Sequence, residues 1–367
     1  MKLTHFIIII LFMFFNCTDR KFENTINIST DHDILKTIHE ADDFRDLLFL
    51  YNKIMLKIDN EISILGQIDD IDYSENHILI LDSKIGKKVL KFDASGNFEC
   101  MFGGIGDGPG EYRHPITIYV SNHNEVLILN NNPPDLHVFS LDNILIETIP
   151  SHRFPGIFDP QNIDEIDDYY VCYVPGRNGK RIRILDNEFR IVDSFLSDEP
   201  AQRKAKLGGG GICVINNNIW VVGAYNPIVS IYDITGNMIH QTGLHLLNNP
   251  KILNNDDIKD LDKGDYRGLL SILDNKNITT KIMNLDDQIV ITGDFVYSNS
   301  YHFDIYDKNG KLIYNQLPFK TNNEKFIKVQ DDYILTYSID DPEIVDNDEI
   351  NAILYIYKPI WKRNSET

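Results

Sequence analysis

Six short apolar runs, each following a polar turn, recur along these 367 residues at a nearly constant interval. They are HILIL at 77–81, EVLIL at 125–129, YYVCYV at 169–174, NIWVV at 218–222, QIVIT at 288–292 and DYILTY at 332–337. Taking Ile78, Val126, Val171, Ile219, Ile289 and Ile334 as equivalent gives spacings of 48, 45, 48, 70 and 45 residues. A second marker, Phe92, Phe139, Leu185, Tyr232, Tyr306 and Tyr357, gives 47, 46, 47, 74 and 51. Two markers share one period and one long gap, so a single structural unit is repeated six times, and no unit of that size buries its apolar surface alone.

The runs are short, rich in Ile, Val and Tyr, and bounded by Asn, Asp and Gly, which predicts strands. They are apolar on both faces, as expected of strands covered on both sides. Ser95-Gly96-Asn97, Thr235-Gly236-Asn237 and Asn309-Gly310-Lys311 supply hairpin turns just after the second marker. A period of 45–48 residues is the length of a four-stranded propeller blade. The expected fold is therefore all-β, a six-bladed β-propeller of four-stranded antiparallel blades. Its blades fall roughly at 62–103, 115–150, 158–196, 209–244, 278–318 and 325–360. A ring must be closed to hide its sheet edges. The run Ile54-Met55-Leu56-Lys57-Ile58 has no blade of its own, so it is expected to form the outer strand of the last blade, beside Ala352 to Ile356. The long gap predicts an insertion at 245–277 between blades four and five, at one mouth of the central channel, with one short helix.

The N-terminus carries Lys2 and then an unbroken apolar run, Phe6 to Phe15. That is too short for a spanning helix and suits a signal peptide. Cys17 follows, at the position of a lipidated first residue, which predicts 1–17 as a signal ending at a lipidation cysteine. Residues 18–43 are polar and read as a tether, 44–361 as the folded body, and 362–367 as a tail. The expected location is the cell envelope, with the membrane reached only through the anchor. The net charge of −20 argues against nucleic acid as a partner. Cys100, Cys172 and Cys213 lie in apolar runs without metal-ligand spacing and are expected to pack in the core.

Residues 88–115, KVLKFDASGNFECMFGGIGDGPGEYRHP, combine strand, turn, strand and a glycine corner. Gly106, Gly108, Pro109, Gly110, Glu111 and Tyr112 match a G-x-G-P-G-E-[FY] pattern. The stretch resembles NHL-type six-bladed β-propellers, in particular those of bacterial lipoproteins. The resemblance implies that this corner joins two blades. The residues suggest the same: glycines to turn the chain, Glu111 to accept from backbone amides, Tyr112 to pack between blades. The loop opens no helix and lacks Gly-Lys-Ser/Thr, which argues against phosphate binding.

No catalytic constellation is present: no G-x-S-x-G, no H-E-x-x-H and no C-x-x-C. His114, His137, His152, His240, His245 and His302 fall in or beside expected turns. The acidic stretches Asp69-Asp70-Ile71-Asp72, Asp164-Glu165, Asp340-Asp341 and Asp346-Asn347-Asp348-Glu349 match no calcium loop and read as solvated strand ends and turns. The segment Asp340 to Glu349 is a candidate for weak calcium at a channel mouth; no other cofactor and no metal ligand is assigned. Arg177, Lys180, Arg181, Tyr225 and Asn226 lie in polar loops on the insertion face and are candidates for binding a partner. The expected function is a ligand- or protein-binding module of the envelope, its partner an unidentified protein or small molecule. The family resemblance also admits an alternative, a calcium-dependent, lactonase-like hydrolase.

Overall fold

The structure, a computed structural model, describes residues 31–74, 76–131, 134–153, 162–175, 179–198, 210–223, 228–243, 281–286, 289–294, 301–320, 324–339, 344 and 349–362. It contains six four-stranded antiparallel sheets, each running from an innermost to an outermost strand. Blade 1 is Asp70–Tyr73, His77–Asp82, Lys88–Asp93 and Phe98–Met101. Blade 2 is Pro115–Val120, Glu125–Asn131, Pro134–Ser140 and Leu145–Pro150. Blade 3 is Asn162–Ile166, Tyr169–Tyr173, Lys180–Leu185 and Ile191–Ser197. Blade 4 is Gly211–Ile215, Asn218–Val222, Ile228–Tyr232 and Met238–Gly243, and blade 5 is Lys281–Asn284, Ile289–Asp294, Tyr301–Asp307 and Leu312–Phe319. Blade 6 takes Lys325–Gln330, Tyr333–Ser338 and Ile350–Pro359 from the C-terminus. Its outermost strand, Leu48–Lys57, comes from the N-terminal side of the ring.

That last strand closes the ring as the sequence suggests. It runs antiparallel to Ile350–Pro359, with Ile54 opposite Leu354 and Leu56 opposite Ala352. Ile54, Leu56, Ala352 and Leu354 then share one apolar cluster with Ile71, Ile78 and Leu90 of blade 1. The two chain ends are thus tied through one sheet, and every other blade is local in sequence.

The segment before the clasp departs from expectation. Residues 18–43 were expected to be a polar tether throughout, yet Asp31–Glu40 forms a helix whose Ile38 is fully buried. A short 3-10 helix, Phe44–Leu47, follows, capped by Asp43. The Phe44 ring packs 4.5 Å from Phe303 and 5.7 Å from Phe319 of blade 5. Arg45 lies 3.0 Å from Glu324, whose carboxylate also accepts from Thr336 and Tyr357. Only a few apolar residues are needed to dock such a segment when a pocket between blades receives them, and a hydropathy average hides them. Among the described residues no helix is long and apolar enough to cross a membrane.

The hairpins joining third and fourth strands in blades 1, 4 and 5 follow one chemical rule. Asp93, Asp233 and Asp307 each accept two backbone N–H groups of their own turn. Gly96, Gly236 and Gly310 follow at φ of 80°, 78° and 83°, where a side chain would be strained. Blade 3 keeps the aspartate, Asp186, but places Phe189 at φ 58°. Stacking of its ring on Tyr170, at 4.9 Å and 16°, offsets that strain.

The glycine corner behaves as the residues imply. Gly110 takes φ 75°, and Glu111 accepts from the Gly108 N–H at 2.8 Å. A side chain at Gly106 would collide with the Glu111 carboxylate. Tyr112 is fully buried; its hydroxyl donates to Phe102 O at 2.5 Å and accepts from Val89 N at 3.0 Å. Burial holds this phenol well above its usual pKa, so the hydroxyl remains a donor. The corner is a structural joint between blades 1 and 2.

Candidate functional site

The innermost strands all enter from the blade connections, so they run in the same direction around the axis. Strand pairing therefore aligns them residue by residue. Ile71, Ile118, Ile163, Ile212 and Ile282 occupy one register position. In blade 6 Phe326 takes it, followed by a bulge at Ile327. These side chains pack backward into the seam with the preceding blade.

The alternate residues point the other way, as a strand's two-residue period requires. One position further along are Asp72, Tyr119, Asp164, Cys213, Met283 and Lys328. One position before the isoleucines are Asp70, Thr117, Asn162, Gly211 and Lys281. All of these but Gly211 line an axial cavity of about 360 Å³, with Asn122, Glu165, Asn284 and Asp331. The lining carries five carboxylates, at 70, 72, 164, 165 and 331, against two ammoniums, at 281 and 328.

Several of these groups lean onto the next blade. Lys328 Nζ lies 3.4 Å from Asp70, joining blade 6 to blade 1. Burial lowers the Lys328 pKa, but Asp70, Asp72 and Asp331 outweigh that, and it sits above its usual value. Lys281 Nζ donates to Ile327 O at 2.9 Å. Among the described residues no carboxylate comes within 4 Å of it, and burial, opposed by Asp70 and aided by Lys328, pulls it below the ordinary lysine range. Asp164 accepts from Val214 N at 2.7 Å, joining blade 3 to blade 4. Among the described residues it has no cationic partner within 4 Å: burial pushes its pKa up to about 6 against backbone hydrogen bonds from Val214 and Glu165, helped by the charges of Glu165 and Asp331. Glu165 accepts from Asn122 N at 2.9 Å and is also raised by burial. Cys213 is buried, and burial raises its thiol well above normal, so it stays protonated. Among the described residues no three His, Cys, Asp or Glu side chains converge to hold a metal.

The sequence-based candidates fall elsewhere. Arg177, Tyr225 and Asn226 lie outside the described residues, as do Cys17, the insertion 245–277 and most of Asp340 to Glu349. Lys180 is exposed at the start of the third strand of blade 3. Arg181, next to it, is buried within that strand, so it is not offered on a loop. Asp70, Asp72 and Asp164 were read as solvated strand ends; they instead border the axial cavity. His137 was expected near a turn and is fully buried mid-strand, 3.1 Å from both Asp135 and Thr148. Cys172 and Cys213 are buried as expected, and Cys100 is half-buried. A signal for the cavity did exist: Asp-Ile-Asp, Thr-Ile-Tyr, Asn-Ile-Asp, Gly-Ile-Cys and Lys-Ile-Met stand just before successive apolar runs.

Comparison with known proteins agrees with this architecture. The model of family DUF5128, described as 6-bladed beta-propeller, matches residues 17–345. The chain belongs to that 6-bladed beta-propeller family. No curated protein matches the sequence. Among solved structures, one named "Putative exported protein" from Bacteroides fragilis aligns at TM-score 0.60 and 16% identity, covering 86% of this chain and 96% of its own. A member of the DUF4221 family from Bacteroides vulgatus aligns at TM-score 0.60 and 10% identity, covering 85% and 97%. A streptogramin B lyase aligns at TM-score 0.51 and 12% identity, covering 84% and 87%. At these identities the likeness is one of fold, and the family's blade ring is what this chain shares with all three.

Proposed function

We propose that this 6-bladed beta-propeller is an exported, lipid-anchored binding module of the cell envelope that takes a small ligand in its axial cavity. The observation that carries the reading is the concentration of ionisable side chains around the axial cavity. Burying charge costs free energy unless partners repay it. Met283, Tyr119 and Cys213 show that the same register position can hold an uncharged side chain. Charge at Asp72, Asp164 and Lys328 is therefore not a demand of the ring. Export is supported by the run Phe6 to Phe15 followed by Cys17, and by the described nature of one structural neighbour. An NHL-type affiliation within the propellers is supported by the Gly106 to Tyr112 corner.

Two measurements test this. Cell fractionation of wild type and Cys17→Ala should find the first in the membrane fraction and the second released. A thermal-shift screen of residues 18–367 against small amines, acids and zwitterions should find compounds that raise the melting temperature of wild type and not of an Asp164→Asn, Lys281→Met double variant. A screen in which no compound separates the two proteins would overturn the cavity reading.

A further inference from the structure

The charges around the cavity are sorted by blade. Both lysines gather at Asp70: Lys328 Nζ lies 3.4 Å from it, and Lys281, which donates to Ile327 O, feels its field. Five carboxylates against two ammoniums leave the lining an excess of negative charge, and that excess lies away from Asp70. Asp164 accepts from the backbone of Val214 and Glu165, and Glu165 from that of Asn122. Among the described residues neither carboxylate has a cation within 4 Å. Asp72 is barer still. It is 4% exposed and borders the cavity, yet among the described residues its carboxylate accepts no hydrogen bond. His77 Nε2 lies 3.8 Å from Asp72 Oδ1, too far to donate, and is itself buried without a hydrogen-bond partner. A carboxylate withdrawn from bulk water and given no donor is costly unless something else supplies one. Tyr119 of blade 2 stands at the same level, between Asp72 of blade 1 and Asp164 of blade 3. Burial and the carboxylates of Asp164, Glu165 and Asp72 hold its phenol well above the usual pKa, so it adds no charge of its own. On blades 4 and 5 the level continues with the uncharged Cys213 and Met283.

We propose that the axial cavity binds a small organic amine in its ammonium form, the cation toward Asp72, Tyr119 and Asp164 and the hydrocarbon toward Cys213 and Met283. This rests on the axial cavity being the ligand site. An ammonium brings the donors that Asp72 lacks and the counter-charge that Asp164 lacks, in charge-assisted hydrogen bonds. An aromatic ring beside the cation adds a further attraction. An anion would meet the excess of carboxylates, while the two lysines that could receive it are already drawn to Asp70. A bare inorganic cation would leave the apolar side, at Cys213 and Met283, uncovered. A cavity of about 360 Å³ is at the small end of ligand pockets, which suits a molecule of this size.

The test is calorimetric titration of the full chain with butylamine, butane-1,4-diamine, butyrate and potassium chloride. The two amines separate a monoamine from a diamine as the natural form. At least one amine is expected to bind about tenfold or more tightly than butyrate or potassium. Asp72→Asn and Asp164→Asn should each weaken it by about tenfold or more while retaining a cooperative melt. Lys281→Met removes a like charge from the same lining and should leave amine binding no weaker. Equal loss in all three variants would mean that the cavity's shape and not its charge is read, and would overturn the ligand class. Butyrate bound as tightly as the amines, and lost in the same variants, would overturn the class and keep the cavity as a site. Amine binding unchanged in folded Asp72→Asn and Asp164→Asn, or no amine binding by wild type, would overturn the proposal itself; hits of another chemistry in the thermal-shift screen would then leave the cavity reading standing without it.

Discussion

Two regions built from the same six strands obey opposite rules. The residues that turn into the blade seams are interchangeable: isoleucine in five blades, phenylalanine in the sixth. Those one step away turn toward the following blade and border the axial cavity, and they include Asp, Tyr, Cys, Met and Lys at a single level, with Cys213 and Met283 also packed in seam clusters. The seam repeats because every blade solves the same packing problem, the burial of two apolar sheet faces. The axis does not repeat because its residues meet one another across a shared space. Repetition marks what the ring needs, and its loss marks what the ring carries.

The comparison can be broken at the seam first. Deleting residues 44–60 removes the outermost strand of blade 6 and exposes the cluster shared by Ile54, Leu354 and Ile71. The expected result is loss of cooperative unfolding in urea; an unchanged transition would show that the ring does not depend on its clasp. Ile212→Ala, within the seam between blades 3 and 4, should cost about 2–4 kcal/mol. Cys213→Ala, one residue on, removes one small group and should cost less than about 1.5 kcal/mol. Matching denaturation curves would sharpen the contrast, and equal losses would blur it. The smallest expected effect concerns calcium. If the axial cavity, which holds two lysines, takes no calcium, calcium and chelator should give superimposable melts. A calcium-dependent rise would point to a site in the segment from Asp340 to Glu349.

The ring was legible in the chain because its causes are local and repeated. Apolar runs such as His77–Asp82, the Asp-x-x-Gly turns and the Gly106 to Tyr112 corner each carry their own conformational signal. The closing strand was legible too, since Ile54 to Ile58 was left over once six units were counted. The cavity was not. Its residues lie on six strands far apart in sequence, and only strand register shows that Asp72, Asp164 and Lys328 share a level. An aspartate at the start of a strand looks like a solvated end until its neighbours around the axis are known. Arg181 failed in the other direction: its charge suggested a loop, while its strand buries it. The docked helix Asp31–Glu40 was missed because few of its residues are apolar and its partners, in blade 5, lie more than 250 residues away.

The central claim is that the axial charges serve binding at the expense of stability, and Asp164 measures it most directly. Its folded pKa of about 6 lies above the ordinary carboxylate value of 3.8. The folded state therefore holds the proton more tightly. Stability is greatest below the unfolded value, falls as pH rises between the two, and stays low above about 6, a loss of about 3 kcal/mol. Urea denaturation of wild type and Asp164→Asn from pH 4 to 8 should show the variant more stable at pH 8 by about 1–3 kcal/mol, with that slope removed. A variant less stable than wild type at pH 8, with the slope intact, would mean that the carboxylate holds the ring together and would contradict the account.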